Sequence, residues 1–336
     1  MARHPPRRLA ALLVLLAFVM AAVACAATSR DLPPGSADAA VHATVLPLAP
    51  AVPAGHAAGT GDALVFRGAL KLTAEDPRFG GLSGLTVDPA GHALSVSDNG
   101  HFVAFDLVED GQGDLTGVAN GRIETMRAPD GHLLHRARER DSEELVVLPD
   151  GTRLVVFERN VRLGWFPPDS ARASRMVPLP GLVPPTNTAI EAMVRFADGR
   201  LLLIAEGQGE ERGGIRDAWI GTPGHWEQLA YVPEHGFDVS GAALLPDGDL
   251  LVLERAASVF EGFRNRLTRV PGRAIRPGAR LQGKELLRLV PPYLTDNFEG
   301  VAARREADGR TAVYLVSDDN YMPFQRTLLL KFDLAE

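Results

Sequence analysis

Five stretches of the chain repeat one pattern of apolar and polar positions. They are "GLSGLTVDPAGHALSVSDNG" (81–100), "DSEELVVLPDGTRLVVFER" (141–159), "AIEAMVRFADGRLLLIAEG" (189–207), "DVSGAALLPDGDLLVLERA" (238–256) and "NFEGVAARREADGRTAVYLVSDD" (297–319). Each reads as an apolar strand, a turn, a second apolar strand and then an acidic residue. The turn is Asp-Gly in four copies and Asp-Pro-Ala-Gly in the first. Asp-Gly between apolar runs is a strong short-range signal for a β-hairpin.

The turn glycines Gly91, Gly151, Gly199, Gly248 and Gly309 are spaced by 60, 48, 49 and 61 residues. Repeats of this length with several strands each are the signature of a β-propeller. Two further strands fit between hairpins: "HFVAFDLVED" and "GRIETMRAP", "VRLGWFPP" and "SRMVPLP", "RDAWIGT" and "WEQLAYVP", "RNRLTRVPG" and "ELLRLVPP". The fifth hairpin is followed by one strand only, "RTLLLKFDL", and "ALVFRGALKL" (63–72) can complete that blade from the other end of the chain. Such closure removes open sheet edges. The expected fold is all-β, a propeller of five four-stranded blades over residues 63–336. Six blades is the alternative, with a degenerate unit hidden in 101–140 or 257–297.

In a propeller the first strand of each blade lines the central channel, so its start and the end of the second strand lie at one face. Eight residues before four of the turn glycines stand Ser83, Glu143, Glu191 and Ser240, and Glu299 takes this place in the fifth copy. After the turns come Asp98, Glu158, Glu206, Glu254 (one residue early) and Asp318 (two late). Ten polar residues, eight of them acidic, are thereby expected at one mouth. Clustered carboxylates need a cation, an arginine or a shared proton to offset their repulsion. A hard, oxygen-coordinated Ca²⁺ or Mg²⁺ suits such a ring; Arg159, Arg255, Arg264 and Arg326 are the alternative partners. A purely structural ring that caps backbone amides is the bland reading.

Composition narrows the remaining choices. The 336 residues are 46% hydrophobic and 23% charged, with net charge -7, so no basic field recommends nucleic acid. Residues 1–26 read as an export signal: a basic start, "MARHPPRR", then "LAALLVLLAFVMAAVACAA". Its end fits an A-x-A cleavage site or a lipoprotein box at Cys25, the only cysteine. Arg7-Arg8 also permits a twin-arginine signal, and an uncleaved anchor is the third option. Residues 27–62, rich in Ala, Pro and Gly, read as a flexible linker. The expected location is the periplasm, free or lipid-anchored at Cys25, with secretion as the alternative; the protein is expected to be a monomer.

Nucleophile motifs fare poorly. "GLSG" and "VSGA" are not the G-x-S-x-G elbow. A Ser83–His101–Asp98 relay can be drawn, and His235 in "PEHGFDVSG" could face the mouth. No H-E-x-x-H, Walker-type or cysteine metal motif occurs. Trp165, Trp219 and Trp226 read as packing between blades.

The openings Ser-Gly, Ile-Glu-Ala and Asn-Phe-Glu-Gly, in order with their following strands, resemble the phytase-like family of exported bacterial proteins. The resemblance covers residue 63 to the C-terminus and implies an esterase-like activity. It also implies, by likeness to β-propeller phytases, calcium held by carboxylates that activates water. The chain lacks the Asp-Asp-Pro-Ala type opening of those enzymes and has three lysines, Lys71, Lys284 and Lys331, which points to a smaller ester or phosphoester than phytate. The expected assignment is therefore a metal-assisted hydrolase. Glu191, Glu299, Asp98 and Glu206 are the catalytic candidates, and Glu143, Glu158, Glu254 and Asp318 the metal ligands. Ser83, Ser240, Arg159, Arg255, His101 and His235 would bind substrate. A non-enzymatic propeller that binds a sugar, a peptide or an envelope component is the rival, and a scaffold without ligand the third reading.

Overall fold

The computed structural model describes residues 36–48, 63–158, 160–179, 182, 190–207, 214–258 and 260–335. The expected signal and Cys25 lie outside them. Five sheets form five blades, I to V, and each inner strand packs beside the next until the last meets the first. The inner strands are Leu82–Val87, Ser142–Val147, Ile190–Arg195, Asp238–Leu244 and Asn297–Arg305. Blade V closes the ring as expected: Leu64–Ala74 pairs antiparallel with Thr327–Leu334.

The strands follow from burial on both sides. Every sheet is sandwiched between two others, so second strands such as Arg153–Phe157 and Leu201–Ala205 are buried at every position. They read as continuous apolar runs rather than as alternation. Five apolar clusters fill the five interfaces between neighbouring blades. Trp165, Trp219 and the half-buried Trp226 share the cluster between blades II and III. The five turn glycines all have positive φ, from 81° to 92°, and each donates its N–H to the carbonyl three residues back. Only glycine takes that backbone without strain.

Three sheets gain a fifth, outer strand, two of them from the stretch expected to be linker. Ser36–Asp38 pairs with Leu115–Thr125 in blade I, and Val41–Leu46 pairs with Leu64–Ala74 in blade V. Arg280–Leu281 adds a parallel pair to blade III. The linker reading is corrected at these two places. "VHATVL" alternates half-buried and exposed positions over Val41–Thr44 and then exposes Val45, too short a period to stand out in the sequence.

Each inner strand carries a β-bulge at the same level. The ladder skips Glu143, Glu191, Ser240 and Glu299 in blades II to V, and Gly84, next to Ser83, in blade I. A bulge re-aims the side chains beside it, and here it does so five times at the start of the channel. The residue after the ring position is Gly84, Ala192, Gly241 or Gly300 in four blades, which lets inner strands approach closely: a Cβ on Gly241 would lie 2.5 Å from the Glu299 carbonyl oxygen. Gly248, at a turn, has open space around it. Gly248→Ala should therefore cost about 1 kcal/mol, from backbone strain alone. Gly241→Ala should cost about 3 kcal/mol, from overpacking. Denaturant unfolding of the two variants checks this; equal losses would count against tight inner-strand packing.

Candidate functional site

Glu299 is the hub of the mouth. Its Oε2 accepts from Ser83 Oγ at 2.9 Å, and its Oε1 accepts from Asn297 Nδ2 at 2.8 Å and from Arg255 Nη1. Ser83 Oγ also lies 3.1 Å from Asp98 Oδ1, and Asn297 Nδ2 lies 3.2 Å from Asp318 Oδ2. Arg255 Nη1 donates to Asn297 Oδ1 at 2.6 Å, while its Nη2 stands 3.6 Å from Glu206 Oε1. One connected network thus runs through blades I, V, IV and III. On its other side Asp141, Glu143 and Glu158 each present a carboxylate oxygen, all within 4.8 Å of one another.

Burial is the first cause of the site's electrostatics, and like charge the second. Asp98 is held well above the usual carboxylate range by desolvation, then by Glu299 and Asp141. Glu143 is raised by desolvation and then by Glu191 and Asp98; Glu191 by desolvation and then by Glu206 and Glu299. Asp318 is raised by desolvation and then by Asp98. Glu206 reaches about 7, since desolvation outweighs the opposing pull of Arg255. Desolvation opposes the charge of Arg255, but Glu299, Glu206 and Glu191 together hold its pKa above the usual value.

Glu144 forms the floor. It stands where the other blades carry Gly or Ala, and it is 1% exposed. Leu145 N–H donates to its Oε1 at 2.9 Å, and the backbone N–H groups of Ala242 and Leu85 face the same carboxyl. Ala242 belongs to blade IV and Leu85 to blade I, so this side chain from blade II crosses the channel axis. Burial holds the carboxyl well above its usual range, against the opposing pull of these backbone N–H groups.

The structure thus brings together Ser83, Asp98, Glu143, Glu158, Glu191, Glu206, Arg255, Glu299 and Asp318. It separates four other candidates from the ring. Glu254 is fully buried between strands, accepting from Tyr231 Oη at 2.5 Å and from Arg266 Nη1 at 2.7 Å. The reason is register: a one-residue offset turns a strand side chain to the opposite face, and Arg255 is the residue at the ring position. Ser240 Oγ donates to the Phe298 carbonyl at 2.9 Å, a latch between blades IV and V. His101 is 3% exposed, and neither ring nitrogen has a hydrogen-bond partner among the described residues. Burial and Arg78 push its pKa down to about 4. The Ser83–His101–Asp98 relay is not formed, because Ser83 bonds Asp98 and Glu299 instead. His235 is exposed on the loop before blade IV. Arg159 lies outside the described residues. Arg326 donates to Asp296 and Thr295, and Arg264 pairs with Glu261.

Asp141, Asn297 and Glu144 are members of the site that counting to the ring positions misses. Asp141 and Asn297 both stand two residues before a ring glutamate, so extending the repeat alignment by two would have found them.

The sequence matches the phytase-like family, described as "Esterase-like activity of phytase", over residues 77–321, and the chain belongs to that family. Comparison with curated proteins gives no match. Among solved structures the chain is similar to an α-L-arabinofuranosidase from Podospora anserina in complex with cellotriose, at 12% identity and TM-score 0.47, over 90% of this chain and 98% of that one. It is also similar to an endo-arabinase from Bacteroides thetaiotaomicron, at 9% identity and TM-score 0.45, over 77% and 94%. A luciferin-regenerating enzyme gives 9% identity and TM-score 0.41, over 77% and 95%. Likeness at this level carries no argument about function.

The raised carboxyls fix the sign of a pH effect. An unfolded glutamate ionises near its ordinary value, whereas folded Glu206 keeps its proton up to about 7. Between those values the folded state binds more protons, so stability falls as pH rises. In chelator, the melting temperature should be at least about 2 °C higher at pH 5 than at pH 8. A divalent cation that binds the ring should remove most of that difference. Melting curves with and without Ca²⁺ check it.

Proposed function

We propose that the mouth holds a divalent cation, Ca²⁺ in first place, and that the protein hydrolyses an ester or phosphoester there. The observation that carries this reading is the convergence of Asp141, Glu143 and Glu158, three hard oxygen donors within 4.8 Å. Oxygen donors of this kind fit Ca²⁺, which takes carboxylate and carbonyl ligands with flexible geometry. The cluster also fits electrostatically, since Glu143 is raised by burial first and by the surrounding acids second, and a cation would oppose both. When bound, such an ion polarises the ester oxygen and acidifies a coordinated water.

The chain's own residues supply the rest. Glu206, with a pKa of about 7, is poised to take or give a proton at neutral pH. Glu191 stands near both Glu206 and Glu143, so that the ionisation of each opposes that of its neighbour. Arg255 is committed to Glu299, Asn297 and Glu206, so its role is to hold those groups in place rather than to clamp a substrate anion. Ser83 ties Asp98 to Glu299 across the seam between blades V and I. Glu144 closes the floor and excludes water from below.

A non-catalytic binding propeller is the second reading, and the internal pairing of Arg255 with the acids of blades III and V is the feature a scaffold without ligand would show. Residues 1–26 support a place outside the cytoplasm, by cleavage or through Cys25. No helix among the described residues is long and apolar enough to cross a membrane. The ring closed by the pairing of Leu64–Ala74 with Thr327–Leu334, which leaves no inner blade edge open, supports a monomer.

Metal analysis of purified protein, with turnover of p-nitrophenyl phosphate and p-nitrophenyl acetate in calcium and in chelator, tests the reading. At least one ester should be hydrolysed in calcium and lost in chelator. Glu143→Gln should weaken cation affinity at least about tenfold, the scale seen when metal-site support is removed. Absence of both bound metal and turnover would leave the binding-propeller reading in its place.

A further inference from the structure

We propose that the mouth face of the propeller docks on a lipid surface, tethered by the apolar run of residues 9–27 and seated through Phe260 and Phe324. This goes beyond the reading of the mouth as a hydrolase, because it holds equally for a propeller that only binds.

The place where the described chain begins decides which face is tethered. Ser36 pairs with Glu124 and Asp38 with Arg122. The next residue but one along that strand from Ile123, Thr125, pairs with His101, which follows Asp98 of the ring by three residues. The chain therefore comes to Ser36 from the mouth side. The run "LAALLVLLAFVMAAVACAA" ends at Ala27, nine residues before Ser36. At most about 32 Å of chain joins the two. From Glu124 to Leu115, at the far end of the same strand, is about 30 Å. A tether that leaves from the mouth side must run almost straight to bring the face of the Asp-Gly turns level with the apolar run, whereas the mouth face reaches it with slack. Attachment through a lipid on Cys25 would add two residues, about 7 Å, and leave the direction unchanged. The run itself is near the length that crosses a bilayer.

Two large apolar side chains stand in water on this same face. Phe260 is 98% exposed, at the tip of the hairpin between Leu250–Ser258 and Gly262–Val270 of blade IV. Ser258 lies three residues beyond Arg255 of the ring, so the tip rises about 10 Å above it. Phe324 is 68% exposed, on the loop between Thr311–Asp318 and Thr327–Leu334 of blade V. Asp318 is a ring residue, so this loop also emerges at the mouth. Both loops are pinned. Ser258 Oγ accepts from the Glu261 N–H at 2.9 Å. Asp319 accepts from the Gly81 N–H at 2.9 Å, the Tyr321 N–H at 3.0 Å and Thr327 Oγ1 at 3.0 Å. Phenylalanines held out in water on the tethered side suit the boundary between headgroups and acyl chains. The connection from blade I to blade II, on the same face, adds the exposed Arg136 and Arg138, which suit lipid phosphates. With a net charge of -7 the chain as a whole is not drawn to an anionic surface, so tether and aromatic rings supply the attachment.

The test uses the full chain, residues 1–35 included, on vesicles of phosphatidylethanolamine and phosphatidylglycerol with brominated acyl chains. Phe260→Trp, Phe324→Trp and Val108→Trp each report contact with lipid by quenching of the added fluorescence, with the parent chain as baseline. Val108 is 42% exposed at the opposite end of blade I, where the Leu107 N–H donates to the carbonyl of turn residue Gly91. All three positions are exposed, so folding should be kept. Quenching should be at least about threefold stronger at Phe260 and Phe324 than at Val108, since only the docked face enters the lipid. Equal or stronger quenching at Val108, no quenching at either phenylalanine, or a chain that leaves the vesicles would overturn the proposal. A blue shift of the Phe260→Trp emission that grows with protein concentration in the absence of vesicles would make a second copy the occupant, and would overturn it too.

Discussion

Carboxyl groups buried a few ångströms apart cannot all be ionised at once, and the mouth of this propeller is arranged around that limit. Asp98, Glu143, Glu191 and Asp318 are all held above their usual range by burial first and by each other second. The structure relieves the conflict unevenly. On the side of blades IV and V, Arg255 and Asn297 bind Glu299 and reach Glu206 and Asp318. On the side of blades I to III, Asp141, Glu143 and Glu158 converge. The proposed cation would offset the charge on the second side as the arginine does on the first.

Nothing local to a hairpin would gather these groups; the scaffold does so by repetition. Five bulges at one level turn the ring side chains toward the channel, and glycines just below let the inner strands close in. The unfavourable electrostatics are held by the five apolar clusters between blades, which bury most of the large side chains in the molecule. Propellers keep their inner strands fixed through such interfaces, so a strained mouth can persist without loosening the ring. Glu144 joins the two levels: buried, it links backbone groups of three blades across the axis.

Much of this was legible in the sequence because it rests on periodic signals. Asp-Gly turns between apolar runs give the hairpins, their spacing gives the blades, and the lone strand after the fifth hairpin requires a partner from residues 63–72. The ring was legible only as far as the counting was strict. Seven residues beyond Gly91, Gly151 and Gly199 stand Asp98, Glu158 and Glu206, and seven beyond Gly248 stands Arg255. Preferring the acid Glu254 broke the count and chose a side chain on the wrong face. Ser240 was placed at the right level but bonds a backbone carbonyl, which strand counting does not see. The outer strands at 36–38 and 41–46 were not legible, because short edge strands that leave most of their side chains in water carry little apolar signal.

The most direct measurement is anomalous scattering from a crystal soaked in Mn²⁺, a hard cation that takes the same oxygen donors. A single peak among Asp141, Glu143 and Glu158, on the side of the mouth away from Arg255, is the expected result. No peak at the mouth, or a peak between Glu206 and Glu299 that displaces Arg255, would contradict the account of how the ring is compensated.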